Sequence, residues 1–217
     1  DLLLFDIPDI GVRFYTYIWT LSHVMEACAE VGLPLWILDR PNPLGGELAW
    51  AEGPWLDEAT VSSFVGRWAM PIRHSLTIGE LARLWNHERQ LGVDLTVIPS
   101  ENWKRSMRWP ALALPFVPAS PAMPTYETVL LYPGTCLCEG TNLSEGRGTA
   151  TPFRSIGAPW LDAHAVAEQF NQQQRPGVVA RATQFIPAAN KYANQLCQGV
   201  MLHVLDEKAF RPVATGL

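Results

Sequence analysis

The beginning of the chain alternates between strand-like and helix-like patterns, and this order constrains the fold more than any other feature. Residues 2–7 are apolar except for Asp6, and such a run is typical of a short strand buried on both faces. From residue 15 to 31, apolar side chains recur with the helical period, and Gly32 ends the pattern. A second apolar run follows at residues 35–38. This strand–helix–strand order predicts a parallel crossover unit.

A third strand of the same type is predicted at residues 94–98. Before it, Thr77 and Glu80 have the spacing of a capping box, which predicts a helix that runs to about residue 90. We therefore expect the three strands to be parallel neighbours in one sheet, because each apolar run is separated from the next by a helix. The first half of the chain is an α/β layer on this interpretation.

The second half begins after a proline-rich stretch without periodicity, residues 109–124. We place a domain boundary there, which gives domains of residues 1–118 and 119–217. In the second domain the patterns predict strands at 128–132, 178–186 and 200–205, and helices at 161–174 and 188–197.

Composition excludes several classes of function. The net charge is −5, from 16 basic and 21 acidic residues without a basic cluster, so we expect no nucleic-acid partner. No apolar run approaches the ~20 residues that span a bilayer. Cys136 and Cys138 are separated by one residue, which does not fit a zinc or redox pair, and the four cysteines are interpreted as buried free thiols. No histidines have metal-ligand spacing, and we expect neither a metal nor another cofactor.

The loop 139–149 carries the densest group of polar side chains, among three glycines. Glycines allow sharp turns and a close approach to a ligand, whereas crowded polar groups are costly unless they bind one another or a ligand. The loop is thus a candidate site for a polar ligand, and a self-bonded structural loop is the alternative. The candidate residues are Glu139, Asn142, Ser144, Glu145 and Arg147.

A second group of candidates follows the first two predicted strands, at the edge where open α/β sheets bind ligands. Helix capping by an aspartate, an Asp–Arg pair that braces a turn, and a structural histidine are the alternatives for this group. The candidates are Asp6, Arg13, Tyr15, Asp39, Arg40 and Asn42, together with Arg73 and His74 before the capping box.

These same motifs resemble a known family of enzymes. The sequences DIPDIGVRFYTY (6–17), DRPNPLGG (39–46) and EGTNLSEGRGTATPF (139–153) look like those of the bacterial exo-acting β-N-acetylmuramidases of the NamZ type, glycoside hydrolase family 171. The resemblance extends over essentially the whole chain. It implies an α/β fold with a Rossmann-like parallel-sheet domain, a smaller α/β domain and a cleft between them.

The resemblance also implies a function. Such enzymes remove terminal N-acetylmuramic acid from the non-reducing ends of peptidoglycan fragments, and they are typically exported, either secreted or periplasmic. Residues 1–217 contain no signal peptide. Family members carry an upstream Glu-His-Gly motif that this chain starts after, and we expect the proton donor to lie there. A non-catalytic carbohydrate-binding protein is the alternative function, and the oligomeric state is left open.

The implied substrate assigns provisional roles to the candidates. A glycosidase uses two carboxyl groups in most families, and Glu139 and Glu145 are the candidates here. We expect Glu145 at the ligand and Glu139 as a brace for the loop. The lactyl carboxylate of muramic acid calls for an arginine, because the guanidinium binds a carboxylate through two hydrogen bonds. The candidates are Arg13, Arg73 and Arg147. Whether the reaction retains or inverts the anomeric configuration is left open.

Overall fold

The computed structural model describes residues 1–217, which divide into two units, Asp1–Pro115 and Phe116–Leu217. The first unit contains β1 (Leu3–Phe5), α1 (Tyr17–Val31), β2 (Leu35–Leu38), α2 (Glu58–Val61), α3 (Ile78–Glu88) and β3 (Leu95–Ile98). The second contains α4 (Tyr126–Thr135), β4 (Ser155–Ala158), α5 (Ala163–Gln172), β5 (Val178–Phe185), β6 (Cys197–Val204) and α6 (Pro212–Gly216). No helix combines the length and apolar character that a membrane crossing requires.

The first unit is built on a three-stranded sheet in the order β1–β2–β3, and both pairings are parallel. The prediction of three neighbouring parallel strands is therefore confirmed, as is the α/β class. The capping box is also present: the Thr77 hydroxyl accepts from the Glu80 amide at 3.2 Å, and the Glu80 carboxylate accepts from the Thr77 amide at 2.9 Å. These contacts satisfy amide groups that the first turn of α3 leaves without helical partners.

The two helices α1 and α3 cover one face of this sheet. Between them lies an indole cluster in which Trp19 and Trp85 stack at 5.3 Å and Trp68 meets both edge-on. The other face carries exposed apolar side chains such as Leu4 and Trp36. The prediction of strands buried on both faces is therefore wrong, because within these residues helices pack on one side only.

The second unit is an antiparallel sheet in the order β4–β6–β5, with α5 packed against it. Residues 128–132, predicted to be a strand, belong to α4. The Thr125 hydroxyl accepts from the Thr128 amide and starts this helix, whose residues from Thr128 onward are all buried. An apolar run buried on every side has no period that distinguishes a helix from a strand.

The predicted helix at residues 188–197 is also absent. The connection between β5 and β6 consists of turns, with left-handed backbone at Asn190, Tyr192 and Asn194. Three such residues, at φ of 58° to 63°, interrupt any right-handed helix. The sequence analysis also missed β4, in which Ile156 is the single large apolar side chain.

Candidate functional site

The candidate residues of the first unit do meet at the carboxyl ends of β1 and β2, but they bind one another and the backbone. Asp39 caps α3: its carboxylate accepts from the Thr77 hydroxyl and the Gly79 amide, both at 2.8 Å. Asn42 is buried, donates to the Leu76 carbonyl and accepts from the Leu44 amide. These contacts tie the strand ends to the start of α3.

The two arginines of this unit are buried and bonded to backbone carbonyls. Arg13 donates from Nη1 to the carbonyls of Pro54 and Met70 at 2.9 and 2.6 Å. Burial lowers its pKa. Arg73 donates to the Leu44 carbonyl at 2.6 Å and lies over the Trp50 ring. Both guanidiniums hold separate loops together.

His74 has both ring nitrogens engaged. Its Nδ1 accepts from the Leu76 amide at 3.2 Å, so Nε2 carries the hydrogen in the neutral ring and donates to Asp9 at 3.1 Å. The Asp9 carboxylate also accepts from the Gly11 amide. A ring held in this way has no free nitrogen to act as a base, and the pair instead joins the β1–α1 loop to the segment before α3.

The remaining candidates of this unit differ in exposure. Asp6 and Arg40 form a surface ion pair in which both side chains are about half exposed. Tyr15 is buried, edge-on to the Tyr17 ring at 4.8 Å. Arg105, which the sequence analysis did not select, donates to the carbonyls of Gly46 and Ser75 and pairs with Glu80.

In the loop 139–149 of the second unit, the charged side chains pair with one another. Arg147 donates from Nε to Glu139 at 2.8 Å, places Nη2 at 2.7 Å from the same carboxylate, and lies 3.3 Å from Glu145. The face of its guanidinium is 4.8 Å from the Phe153 ring centroid. Burial lowers the pKa of Arg147, but the hydrogen bond and charge of Glu139 and the charge of Glu145 outweigh that effect and raise it.

The loop folds tightly because of its glycines and its pairing with β4. Gly146 and Gly148 have φ of 76° and 77°, and a Cβ on Gly148 would meet the Ala189 amide nitrogen at 2.7 Å. Ser144 and Gly157 exchange two backbone hydrogen bonds, and the Phe153 amide donates to the Glu145 carbonyl. These contacts draw residue 145 into the unit.

The two glutamates differ in exposure. The Glu145 side chain is 3% exposed, whereas that of Glu139 is 37% exposed. Atom Oε2 of Glu145 is buried without a hydrogen-bond partner and lies 3.9 Å from the Lys191 ammonium. Ser144 is buried and accepts from the Gly146 amide, and the Asn142 side chain is exposed.

Lys191 is the residue that sequence reasoning missed at this site. Its ammonium donates to the carbonyls of Cys138, Glu139 and Leu143 at 2.9, 2.9 and 3.0 Å. All three hydrogens of the ammonium are thereby used, and the β5–β6 connection is fastened to the start of the loop. The residue lies in a segment that the sequence pattern assigned to a helix, so no local signal marked it.

The neighbouring thiols are not reactive groups. Burial raises the pKa of Cys136, whose Sγ donates to Glu139 at 3.3 Å. Burial, with the charge of Glu145 in addition, raises the pKa of Cys138 to about 11. All four cysteines are free, and both of these remain thiols near neutral pH. No three side chains of the metal-ligating types are grouped to hold a metal ion.

A cavity of about 300 Å³ opens beside the loop, within the second unit. Arg147, Thr149 and Asn190 supply its polar lining, and Pro152 is among its apolar lining residues. The hydrogen bonds of Arg147 use Nε and its ion pair with Glu139 uses Nη2, so Nη1 remains available. A cation, a hydroxyl and an amide beside apolar carbon suit a small ligand that bears a carboxylate.

Comparison with known proteins identifies the family. A model described as the N-terminal part of exo-beta-N-acetylmuramidase NamZ matches residues 1–127, and one for the C-terminal part matches residues 130–217. The chain belongs to the NamZ family. The family resemblance predicted from the motifs is thereby confirmed. The two family models meet inside α4, between residues 127 and 130, whereas the two units part between residues 115 and 116.

Two kinds of relative support this membership. The chain is 50% identical over 217 residues to the peptidoglycan beta-N-acetylmuramidase NamZ of Bacillus subtilis (strain 168), and it covers 52% of that protein. Crystal structures of two DUF1343 family proteins from Bacteroides fragilis match it with TM-scores of 0.90 and 0.76, at 33% and 37% identity. These matches cover 99% and 96% of this chain and 56% and 55% of theirs. The chain thus spans about half the length of the relatives it matches.

Proposed function

We propose that the protein is a glycoside hydrolase of peptidoglycan that releases terminal N-acetylmuramic acid from the non-reducing ends of fragments. The observation that carries this proposal is the 50% identity, over the whole chain, to a protein named peptidoglycan beta-N-acetylmuramidase. Within the chain, the charge network of the loop 139–149 lies beside a cavity, and we assign substrate recognition to this loop. The site in the second unit supports the proposal by its chemistry.

Arg147 is our choice for the arginine that recognises the lactyl group. Arg13 and Arg73 bind backbone carbonyls in the first unit. Arg147 lines a cavity, and its Nη1 has no other partner among the hydrogen bonds of the loop. A carboxylate in that cavity would receive a charge-assisted hydrogen bond, which a glucosamine ring without the lactyl group would not form.

The two loop glutamates have distinct proposed roles. Glu145 is buried between Arg147 and Lys191, so its role is to hold the guanidinium in place. Glu139 is the more exposed carboxylate and shares the same guanidinium, so it is our candidate for contact with the sugar. The general acid is expected outside residues 1–217, in the family's Glu-His-Gly motif. Because the substrate lies outside the membrane, we also propose a secreted or periplasmic protein.

The test uses the full-length protein and a disaccharide with muramic acid at its non-reducing end. The proposal predicts release of free N-acetylmuramic acid, detected by mass spectrometry, and no release from the matching glucosamine-capped disaccharide. Binding without release would favour the non-catalytic carbohydrate-binding alternative. Cleavage inside longer glycans, without terminal release, would contradict the exo specificity.

A further inference from the structure

A second cavity of the second unit has a different chemistry. It measures about 240 Å³ and lies where the first turn of α5 meets β5 and β6. Its polar lining consists of His164, Thr183, Gln184 and Gln198, and no carboxylate, guanidinium or ammonium borders it. Gln184 and Gln198 are direct cross-strand partners in the sheet. Amide, hydroxyl and imidazole groups in one depression favour a neutral polar ligand over an ion.

The amides of this cavity are free to bind a ligand. By contrast, the side-chain amide of Asn171 on α5 is already occupied, because it donates to the Ala180 carbonyl and accepts from the Ala180 amide. Neither Gln184 nor Gln198 engages its side chain in a hydrogen bond within the chain, and His164 donates only from its backbone, to the capping residue Asp162. The lining groups thus keep their full capacity for hydrogen bonding.

An exposed indole stands in the short connection between β4 and α5. Trp160 is 58% exposed and precedes the cap of α5 by two residues. A single exposed tryptophan is ordinary on a protein surface. This one is fixed, however, because its Nε1 donates to the Tyr192 hydroxyl at 3.4 Å.

Tyr192 connects this indole to the loop that carries Arg147. Its hydroxyl donates to the Asn142 carbonyl at 2.8 Å. Its backbone has φ of 58°, a strained left-handed conformation that is rare for an aromatic residue. The strain is held by contacts on both sides, since the adjacent Lys191 clamps the same loop. The indole therefore has a fixed position relative to the loop.

Trp160 is not among the lining residues of the cavity, but it follows Ala158 by two residues, and Ala158 is the cross-strand partner of Gln198, which pairs in turn with Gln184. On this register we propose that Trp160, Gln184 and Gln198 form a subsite for a neutral N-acetylhexosamine ring. The apolar face of the sugar lies on the indole, and its hydroxyl and acetamido groups bind the two amides. This inference rests on the proposed function, for which it supplies the sugar next to the muramic acid residue. Trp160 is a specificity residue on this account, because it contacts the sugar and takes no part in bond cleavage.

The first experiment compares two substrates in the full-length protein. One is the muramic-acid-capped disaccharide, and the other is an aryl muramide, in which a small chromogenic group replaces the second sugar. Trp160→Ala should raise KM for the disaccharide about tenfold, as for the loss of one central aromatic contact, and leave KM for the aryl muramide unchanged. Equal effects on both substrates, or on neither, would overturn the subsite.

Trp160→Phe separates stacking from a structural role. Phenylalanine keeps an aromatic face but cannot donate to Tyr192, so the subsite predicts a KM within about twofold of wild type. If the indole only fixed the loop, Phe and Ala would be equally harmful. Trp55→Ala is the matched control, because Trp55 is 70% exposed in the first unit and should have no effect.

A binding measurement keeps this inference separate from the proposed function. Titration of the wild-type protein with di-N-acetylchitobiose should show binding that Trp160→Ala and the Gln184→Ala/Gln198→Ala pair both weaken about tenfold. This binding would support the subsite even if no substrate released muramic acid. The absence of release would refute only the proposed function. Binding of equal strength in wild type and variants, or none in the wild type, would refute the subsite.

Discussion

The two units contain the same kinds of charged residue but use them differently. In the first unit, Arg13 and Arg73 donate to backbone carbonyls, and His74 has both nitrogens bonded. In the second unit, Arg147 pairs with two carboxylates, keeps a free Nη1 and borders a cavity. Residue type and loop position therefore do not identify a ligand site. The partners of the side chain distinguish the two units: backbone carbonyls in the first, and carboxylates beside a cavity in the second.

The largest effect should follow from removing the guanidinium of the second unit. Arg147→Leu in the full-length protein is expected to weaken transition-state binding of the muramic-acid-capped disaccharide by about 2–4 kcal/mol, because a charge-assisted pair is lost. The measurement is kcat/KM. Arg181→Leu, an exposed arginine on β5, is the matched control. An equal loss on a substrate that lacks the lactyl group would assign Arg147 to support of the fold.

The corresponding change in the first unit should affect stability rather than specificity. Arg13→Leu leaves the carbonyls of Pro54 and Met70 without a donor, so the free energy of unfolding should fall by about 2–3 kcal/mol. Urea denaturation measures this loss. Arg40→Leu removes only an exposed pair with Asp6 and should cost about 1 kcal/mol or less. If Arg13→Leu altered the preference for the lactyl group, the contrast between the units would fail.

Lys191 tests whether the charge network depends on the β5–β6 connection. Lys191→Met keeps the length of the side chain but removes three donors, and we expect the second unit to lose about 1–2 kcal/mol of stability. Hydrogen exchange at the amides of residues 141–149 should accelerate as the loop loosens. Lys208→Met, at an exposed lysine, is the control. Unchanged exchange in the loop would show that the glycine turns hold it without the clamp.

The smallest expected effect is a pH dependence in the first unit. The hydrogen bond from Arg89 lowers the pKa of Glu58, although burial opposes it. A lowered pKa stabilises the folded state above the ordinary glutamate pKa of about 4.3, and this stabilisation disappears as the pH falls through the lowered value. Glu58→Gln should therefore cost about 0.5 kcal/mol at pH 7, and this cost should shrink as the pH falls below about 4.3 and through the lowered value. A constant difference across that range would contradict the assignment.

The fold was predictable where a sequence pattern had a single interpretation. The strands β1 to β3 follow from short apolar runs separated by amphipathic helices, and the capping box fixes the start of α3. The strand predicted at residues 128–132 failed because α4 is buried all round and shows no period. The helix predicted at 188–197 failed because the left-handed residues that break it are asparagine and tyrosine, not glycine.

The site was predictable only in its residue types. The glycines and charges of the loop 139–149 indicated a polar site, and three of its side chains do form one network. Their order of exposure depends on the pairing of Ser144 with Gly157 in β4, a strand that the sequence did not reveal. Lys191 is brought to the loop by the β5–β6 connection, which is a tertiary contact with no local signal.

The contrast between the units can be measured directly by titrating the 217-residue chain with N-acetylmuramic acid and recording amide chemical shifts. The account predicts that shifts concentrate at residues 145–152 and 189–190, around the cavity that Arg147 borders, and that Arg147→Leu abolishes them. Shifts centred on residues 6–17, 39–46 and 73–74, with the loop unaffected, would contradict it.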